Sequence, residues 1–340
     1  MASQTKLQPG PDWIMETLFA HHRTAALKAA IEFDLFTAIG QGADTVAALA
    51  ERCKGTQRGV RILCDYLAIL GFLTKQDHRY GLTPESATYL DRSSPACIAS
   101  VANFVTLPEK LDAFKDLATV IRTGRPALSH GEGSISPENP IWVNYARSMG
   151  ALQLASAREL ARRLDARAGK PWRVLDIAAG HGVYGIELAK ENPSAEIFAQ
   201  DWAAVLDVAE ENARAAGVAE RFHRLPGSAF EVEFGSDYDV ILVTGFLHHF
   251  GPPEIEPLLR KVRAALARDG LVATIDFVPS EDRLSPPRAA AFSMEMLGTT
   301  VSGDTYPFSE YQRMFQNAGF SSNELHPLTT SGHGLILSRV

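Results

Sequence analysis

Two rhythms of apolar and polar positions divide the chain. Over the first ~100 residues, apolar positions recur at helical spacing. In "PDWIMETLFAHHRTAALKAAIEFDLFTAI", Leu18, His22, Ala25 and Ala29 form one stripe; Leu35, Phe36 and Ile39 close the stretch, and Gly40 and Gly42 stop it. "DTVAALAER" predicts a short helix with Asp44 as its N-cap. In "TQRGVRILCDYLAILGFL", Val60, Leu63, Leu67 and Leu70 share a face. "LTKQDHRYGLTPESATYL" reads as a β-hairpin around a polar turn, ending at Pro84. Helix, helix, helix, hairpin is the order of a winged helix.

Residues 101–170 read as a helical connection. "VANFVTLPEKLDAFKDLATVIRTGRPA" ends at Gly124 and Pro126, and "SHGEGSISPENP" is a polar loop. "IWVNYARSMGALQLASARELARRLDAR" predicts one long amphipathic helix through Tyr145, Met149, Leu152 and Leu160. From "RVLDIAAG" onward strand and helix alternate, the pattern of a parallel sheet covered on both faces. Strands are expected at 173–177, 195–200, 221–225, 238–244, 271–276, 323–328 and 334–339. Helices are expected at 183–191, 202–216, 254–267, 287–298 and 308–317. The last two strands have no long helix between them, which suits an antiparallel pair at one edge. The organisation expected is therefore 1–100, a winged-helix module; 101–170, a connection contributing to a pocket; and 171–340, an α/β domain.

Composition narrows the function. A hydrophobic fraction of 46% over 340 residues is ample for a core in one large or two medium domains. The net charge of -7 argues against a general nucleic-acid binder, because phosphate neutralisation supplies most non-specific affinity. A DNA-reading winged helix would present Gln57, Arg58 and Arg61, yet that helix is mostly apolar. The module is better read as a dimerisation unit. Cys53, Cys64 and Cys97 form no C-x-x-C pair and are expected to be buried, reduced thiols. "MASQTKLQPGPDW" lacks a signal-peptide core, and no run approaches the roughly 20 apolar residues of a membrane span; a cytoplasmic protein is expected, with no membrane partner. No H-x-x-x-H or H-E-x-x-H pattern points to a metal, and His333 in "SGHGL" reads as a turn residue.

The chemistry concentrates around "VLDIAAGHGVYGIELA", where Gly180, Gly182 and Gly185 spell G-x-G-x-x-G after the first strand of the sheet. That loop lies where open parallel sheets bind ligands. Spacing alone does not separate a dinucleotide from an adenosyl cofactor. Asp176 does: a carboxylate beside the loop repels a pyrophosphate and suits the α-ammonium and sulfonium of S-adenosyl-L-methionine. Asp201 ends the second strand, where a carboxylate accepts bonds from both ribose hydroxyls.

"VLDIAAGHGVYGIELA", "AQDW", "LPGSAF", "DYDVILVTGFLHHF" and "FSEYQRMFQNAGF" resemble, in order, the motifs of two-domain, plant-type small-molecule O-methyltransferases, a family that includes bacterial enzymes of secondary metabolism and acetylserotonin O-methyltransferase. The resemblance covers nearly the whole chain. It implies a class I methyltransferase (Rossmann-like) α/β fold with a reversed edge strand, an N-terminal winged-helix dimerisation domain, and a homodimer. Carried over by motif, Gly180 and Gly182 face the methionine end of the cofactor, Asp201 binds ribose, and Trp202 lies beside adenine. Ser228, Ala229 and Phe230 line the adenine pocket, Ser228 standing where the family often has Asp. Thr244 takes a position near the cofactor that is often Lys.

Methyl transfer from a sulfonium is an in-line displacement, so the site must align the acceptor and remove its proton if the acceptor is neutral. The family pattern makes His248 in "GFLHHF" the base. His249 stands where an Asp usually follows, and its side chain is expected to follow the chain into the next helix. Asp276 occupies the place of one family Glu and is expected to orient His248; at the other, Thr305 stands beside Asp304. That half-kept acidic support leaves N- or C-methylation, non-methylating cofactor binding, and a winged-helix regulator as alternatives. Phe104, Tyr145, Met149, Phe292 and Met296 are the expected liners of an apolar pocket for a small-molecule acceptor.

Overall fold

The computed structural model describes residues 10–126 and 139–340; the polar loop "SHGEGSISPENP" falls outside the described residues except for its last two positions. The chain divides into two compact units, Met1–Ala102 and Asn103–Val340.

The smaller unit carries α1 (Asp12–Leu18), α2 (Ala20–Glu32), α3 (Leu35–Gly40), α4 (Val46–Arg52) and α5 (Gln57–Ile69), then the antiparallel hairpin β1 (Leu73–Gln76) and β2 (Arg79–Leu82), and α6 (Pro84–Tyr89). The single helical stripe read from the sequence is broken into α1, α2 and α3. Asp34, in left-handed conformation, turns the chain between the last two. Asp44 is not the cap of α4. Thr45 is: its side chain accepts the Ala48 N–H, while Asp44 pairs with Arg79 at 2.7 Å. Thr45 also bridges Arg79, adding a third short edge to the hairpin. Leu35, Phe36, Leu49, Cys64 and Leu67 close the core of this unit. On α5, Arg61 is paired with Asp65 at 2.9 Å, Gln57 and Arg58 are exposed, and Ile62 and Ile69 add exposed apolar surface. Trp13, Ile14, Met15, Leu18 and Phe19 extend the exposed apolar surface along α1. Cys64 is buried; Cys53 and Cys97 are only half-buried, and all three are free.

In the chain that follows, α7 (Val101–Val105), α8 (Pro108–Asp112), α9 (Leu117–Thr123) and α10 (Ile141–Arg163) precede the sheet. The long helix predicted to 167 ends at Arg163, because Asp165 adopts a left-handed conformation. Strands β3 (Arg173–Ile177), β4 (Glu196–Asp201), β5 (Phe222–Pro226), β6 (Tyr238–Thr244), β7 (Leu266–Asp276), β8 (Ser322–Pro327) and β9 (Gly334–Arg339) form one sheet in the order β5-β4-β3-β6-β7-β9-β8. The first five are parallel; β9 runs antiparallel to β7 and to β8, the reversed edge the sequence led us to expect. β7 starts earlier than read, since Leu266 pairs with Tyr238 before a bulge.

The connecting helices are α11 (Val183–Glu191), α12 (Ala203–Ala215), α13 (Pro252–Ala265), α14 (Pro287–Thr299) and α15 (Phe308–Asn317). Strand residues alternate between two cores, as a pleated sheet covered on both sides requires. Val174, Leu242 and Ile275 pack with α10, α11 and α12; Leu175, Ile177, Ile241 and Val243 pack with α13 and α15. Among the described residues, no helix is long and apolar enough to cross a membrane.

Candidate active site

Strands leave β3 in both directions, β4 and β5 on one side and β6 and β7 on the other. The carboxyl ends of β3 and β6 therefore flank a topological switch point, where ligands bind in open sheets. Four candidate residues lie at or near these ends: Asp176 on β3, Asp201 on β4, Thr244 on β6 and Asp276 on β7.

The glycine loop forms the first half of the site. Gly180 and Gly182 have φ of +57° and +72°, a region that penalises any side chain, and Gly182 is the N-cap of α11. Asp201 holds the loop with one oxygen per amide: Oδ2 accepts from Gly180 N–H at 2.8 Å and Oδ1 from Trp202 N–H at 2.7 Å. Burial pushes its carboxyl up to about 6, with both amide bonds acting in the opposite direction. Gln200, which sequence reasoning missed, ties the same loop across the sheet. Its Oε1 accepts from Ala178 N–H at 3.2 Å, and its Nε2 donates to Gly227 O at 2.6 Å. Trp202 is half-buried at the N-cap of α12, packed with Trp142, Ala146 and Val205. Ser228 Oγ accepts from Phe230 N–H at 3.3 Å; Ala229 is buried, and Phe230 stands exposed with an edge contact to Phe250.

Asp176 lies beneath the loop, fully buried. Its Oδ2 accepts from Gly185 N–H at 3.2 Å, while Oδ1 has no partner among the described residues. A Cβ on Gly185 would stand 2.7 Å from Ile197 and 3.0 Å from that carboxylate, so only glycine lets α11 approach the sheet here. Burial pushes the Asp176 carboxyl up to about 7, the Gly185 bond opposing and the Asp201 charge reinforcing the shift. The folded state thus binds this proton more tightly than the unfolded chain, whose carboxyl titrates at the ordinary value of 3.8. Stability from this group is full below about 4 and is lost as pH rises through about 7. Asp176→Asn is expected to raise Tm by a few degrees at pH 8, with the gain shrinking as pH falls and vanishing below about 4, measured by scanning calorimetry.

The second half of the site is a histidine held by a carboxylate. Gly245, with φ of +61°, turns the chain out of β6 into a single 3₁₀ turn carrying His248 and His249. β6 and β7 are neighbours, with Thr244 opposite Ile275, and this register sets His248 beside Asp276. The His248 ring shares a 2.6 Å hydrogen bond between Nδ1 and Asp276 Oδ1; the His248 backbone N–H donates to Oδ2 at 3.3 Å, and Phe277 N–H donates to Oδ1 at 2.8 Å. Both side chains are buried. Phe292 meets the imidazole edge-on at 5.1 Å and stacks on Phe277 at 3.9 Å.

His249 does not follow the chain into α13. Its ring lies 4.3 Å from that of His248 and meets Trp142 edge-on at 5.2 Å. Burial, with His248 and Lys110 adding to it, holds this imidazole neutral. His333 is a turn residue before β9, as read, but its ring is buried against Phe277 at 4.4 Å, behind the wall that Phe277 and Phe292 form.

Among the expected liners, Phe104 meets Tyr145 edge-on at 5.3 Å, and the Tyr145 ring would lie 3.2 Å from a Cβ on Gly180. Trp142, 6.1 Å from Tyr145 and in contact with His249, joins the loop half to the histidine half; nothing in its sequence context marked it. Met149 is half-buried one turn after Tyr145, and Met296 is buried on α14. A depression of about 380 Å³ opens beside Phe292, lined also by Phe114, Ala291, Met294, Arg288 and Glu295. Thr305 is buried, its hydroxyl 2.6 Å from Ser293 Oγ, and Asp304 pairs with Arg283 instead. Among the described residues no group of three His, Cys, Asp or Glu side chains is placed to hold a metal ion.

Residues 114–321 match the family model of the O-methyltransferase domain, and residues 15–92 that of the O-methyltransferase dimerisation domain. The chain belongs to the O-methyltransferase family. This methyltransferase is 46% identical to a candidate O-methyltransferase of Nostoc punctiforme whose solved structure covers 98% of this chain and 99% of its own, with a TM-score of 0.93. It is 27% identical to 3-hydroxy-5-methyl-1-naphthoate 3-O-methyltransferase of Streptomyces sahachiroi, over 88% of this chain and 86% of the relative. It shares its fold with human N-acetylserotonin methyltransferase in complex with S-adenosylmethionine, at 19% identity, 99% coverage of both chains and a TM-score of 0.85.

Proposed function

We propose that this S-adenosyl-L-methionine-dependent methyltransferase methylates an oxygen of a small aromatic or phenolic metabolite, with His248 as general base. The observation that carries the reading is the buried 2.6 Å contact between His248 Nδ1 and Asp276 Oδ1 at the sheet's ligand-binding edge. With Nδ1–H donated to Asp276, Nε2 is left as the basic nitrogen for an acceptor hydroxyl. Asp276 would keep that tautomer and stabilise the imidazolium formed as the proton arrives. An aromatic hydroxyl suits such a base, its ordinary pKa near ~10 lying within reach of an imidazole in the transition state.

The cofactor supplies an electrophilic methyl on a good leaving group. The chain's part is to bind and align. Residues at the glycine loop fit the cofactor: each Asp201 oxygen accepts one backbone amide and keeps lone pairs for ribose hydroxyls, and the buried Asp176 Oδ1 is an unpartnered acceptor of the kind an ammonium satisfies. Gly180 and Gly182 give close backbone approach, Trp202, Ser228, Ala229 and Phe230 would enclose the adenine, and Thr244 would stand near the sulfur end. Phe104, Tyr145, Met149, Phe292 and Met296 would exclude water around the acceptor. The test is an assay with labelled S-adenosyl-L-methionine against neutral phenols, anilines and activated carbons. Turnover of phenols alone is expected; methylation only of anilines or carbon acids would overturn the oxygen assignment.

We further propose a homodimer that binds no nucleic acid, formed through the exposed apolar surface of α1, α2 and α5. Trp13 and Leu18 are 69% and 64% exposed there, and such a patch is costly to leave in water. Light scattering is expected to give twice the 37.0 kDa of one chain, and a monomer at all concentrations would refute the dimer. The free thiols suit a cytoplasmic setting.

A further inference from the structure

The acceptor side of the site carries an unpaired charge. α14 runs beside the base: Phe292 meets the His248 imidazole, and Arg288 and Glu295 stand one turn before and one turn after it on the same helix face. All three line the depression of about 380 Å³, with Phe114, Ala291 and Met294 as its apolar walls. Phe114 is held close to the helix, since a Cβ on Gly298 would lie 2.8 Å from its ring.

The two charged liners differ. Glu295 is engaged by Lys110, whose ammonium also lies 4.6 Å from the centre of the Phe104 ring, and both side chains of the pair are largely buried. That pair borders the depression with no net charge. Arg288 is exposed and makes no ion pair or hydrogen bond among the described residues. Arg283, in the loop before α14, shows the commoner outcome in a chain where 40 acidic residues face 33 lysines and arginines: Asp304, Glu310 and the Thr305 carbonyl hold it. Arg288 also stands near enough to the base wall to be felt there. Burial pushes the His333 imidazole behind Phe277 down to about 4, Asp276 opposing and Arg288 and His248 adding to the shift.

An unpaired cation beside apolar walls suits a ligand that brings its own anion. The planar fork of a guanidinium matches a carboxylate through two parallel hydrogen bonds. One helical turn, about 5 Å along the axis, separates Arg288 from Phe292, so such a carboxylate must sit away from the hydroxyl that His248 serves.

We infer that the depression takes the far end of the acceptor and that Arg288 holds a carboxylate there, so that the substrate is an aromatic acid whose carboxylate is remote from the methylated hydroxyl. The inference rests on the acceptor reading above, and its test separates the two. With S-adenosylhomocysteine present, titration calorimetry would compare 4′-hydroxybiphenyl-4-carboxylate with its carboxamide, which has the same shape and no charge. The carboxylate is expected to bind at least about fivefold tighter, with an advantage that shrinks at high salt. Arg288→Gln is expected to erase that advantage while leaving the affinity of the carboxamide level, and Arg288→Lys, which keeps the charge but not the fork, to recover part of it. Arg288 is exposed on a helix surface, so both variants are expected to fold as the unaltered protein does. Equal affinities for the two probes, no binding of either, or an advantage that persists in Arg288→Gln overturns the inference. Methyl transfer to the same probes is read separately with labelled S-adenosyl-L-methionine. Equal methylation of both, unaffected by Arg288→Gln, sinks the role of Arg288 and leaves oxygen methylation standing. Arg288-dependent binding of the carboxylate with no methylation of either hydroxyl overturns the oxygen reading and leaves the anion site standing.

Discussion

His248→Ala is expected to lower turnover by about 10²–10⁴, the usual contribution of a positioned general base, while leaving affinity for S-adenosylhomocysteine nearly intact. The split follows from placement. His248 is set by the turn after β6 and faces Phe292, whereas Asp201 and the glycine loop hold their own hydrogen bonds on β3 and β4. For a phenolic acceptor the loss should shrink at high pH, because solvent then ionises the substrate and the base is no longer needed. Asp276→Asn should fall between His248→Ala and the unaltered enzyme. Asp276 Oδ1 accepts from Phe277 N–H and engages His248 Nδ1, while Oδ2 accepts from the His248 backbone N–H; an amide keeps one acceptor oxygen, sets its NH2 against that backbone N–H, and loses the charge that would stabilise an imidazolium. His249→Ala should not be silent, because its ring packs directly on His248 and Trp142, and a cavity there frees the base. Equal and small effects at all three positions would mean that the acceptor arrives already nucleophilic and that alignment alone carries the reaction.

The second large effect concerns cofactor affinity. Asp201→Ala is expected to weaken S-adenosylhomocysteine binding by about 1–3 kcal/mol, the scale of lost charge-assisted hydrogen bonds. Because alanine also releases the Gly180 and Trp202 amides, Asp201→Asn is the cleaner variant, keeping one acceptor while removing the charge. The pH dependence gives an independent readout. In the free protein the Asp201 carboxyl is raised to about 6, and its protonation removes an acceptor oxygen from a bound ribose. Affinity should therefore fall as pH drops through about 6, and fall less steeply in Asp201→Asn. Calorimetric titration at pH 5 and pH 8 measures both; parallel profiles for the two proteins would refute a direct role for this carboxylate.

Much of this molecule was legible along the chain, for a local reason. Strands β3, β6 and β9 and helices α11 and α15 fall on the residues read for them, because a short apolar run between turn signals, or a 3.6-residue period, is written into contiguous sequence. The glycine loop was legible on the same terms: Gly180 and Gly182 adopt the positive φ that their residue type permits. Capping was less so, since Asp44 and Thr45 are both good caps and the choice fell to Thr45 once Asp44 had Arg79 as a partner.

By itself, then, the sequence determined the elements, their order, and which residue types stand at each strand end. Only the tertiary structure decided how those residues meet. His248 and Asp276 lie 28 positions apart, and the parallel register of β6 on β7 is what turns two plausible residues into one hydrogen-bonded pair. Trp142 reaches His249, and Tyr145 reaches His181, because α10 packs on α11 and α12 around a shared core. Contacts of this kind arise from packing between elements distant in sequence, and no local period records them.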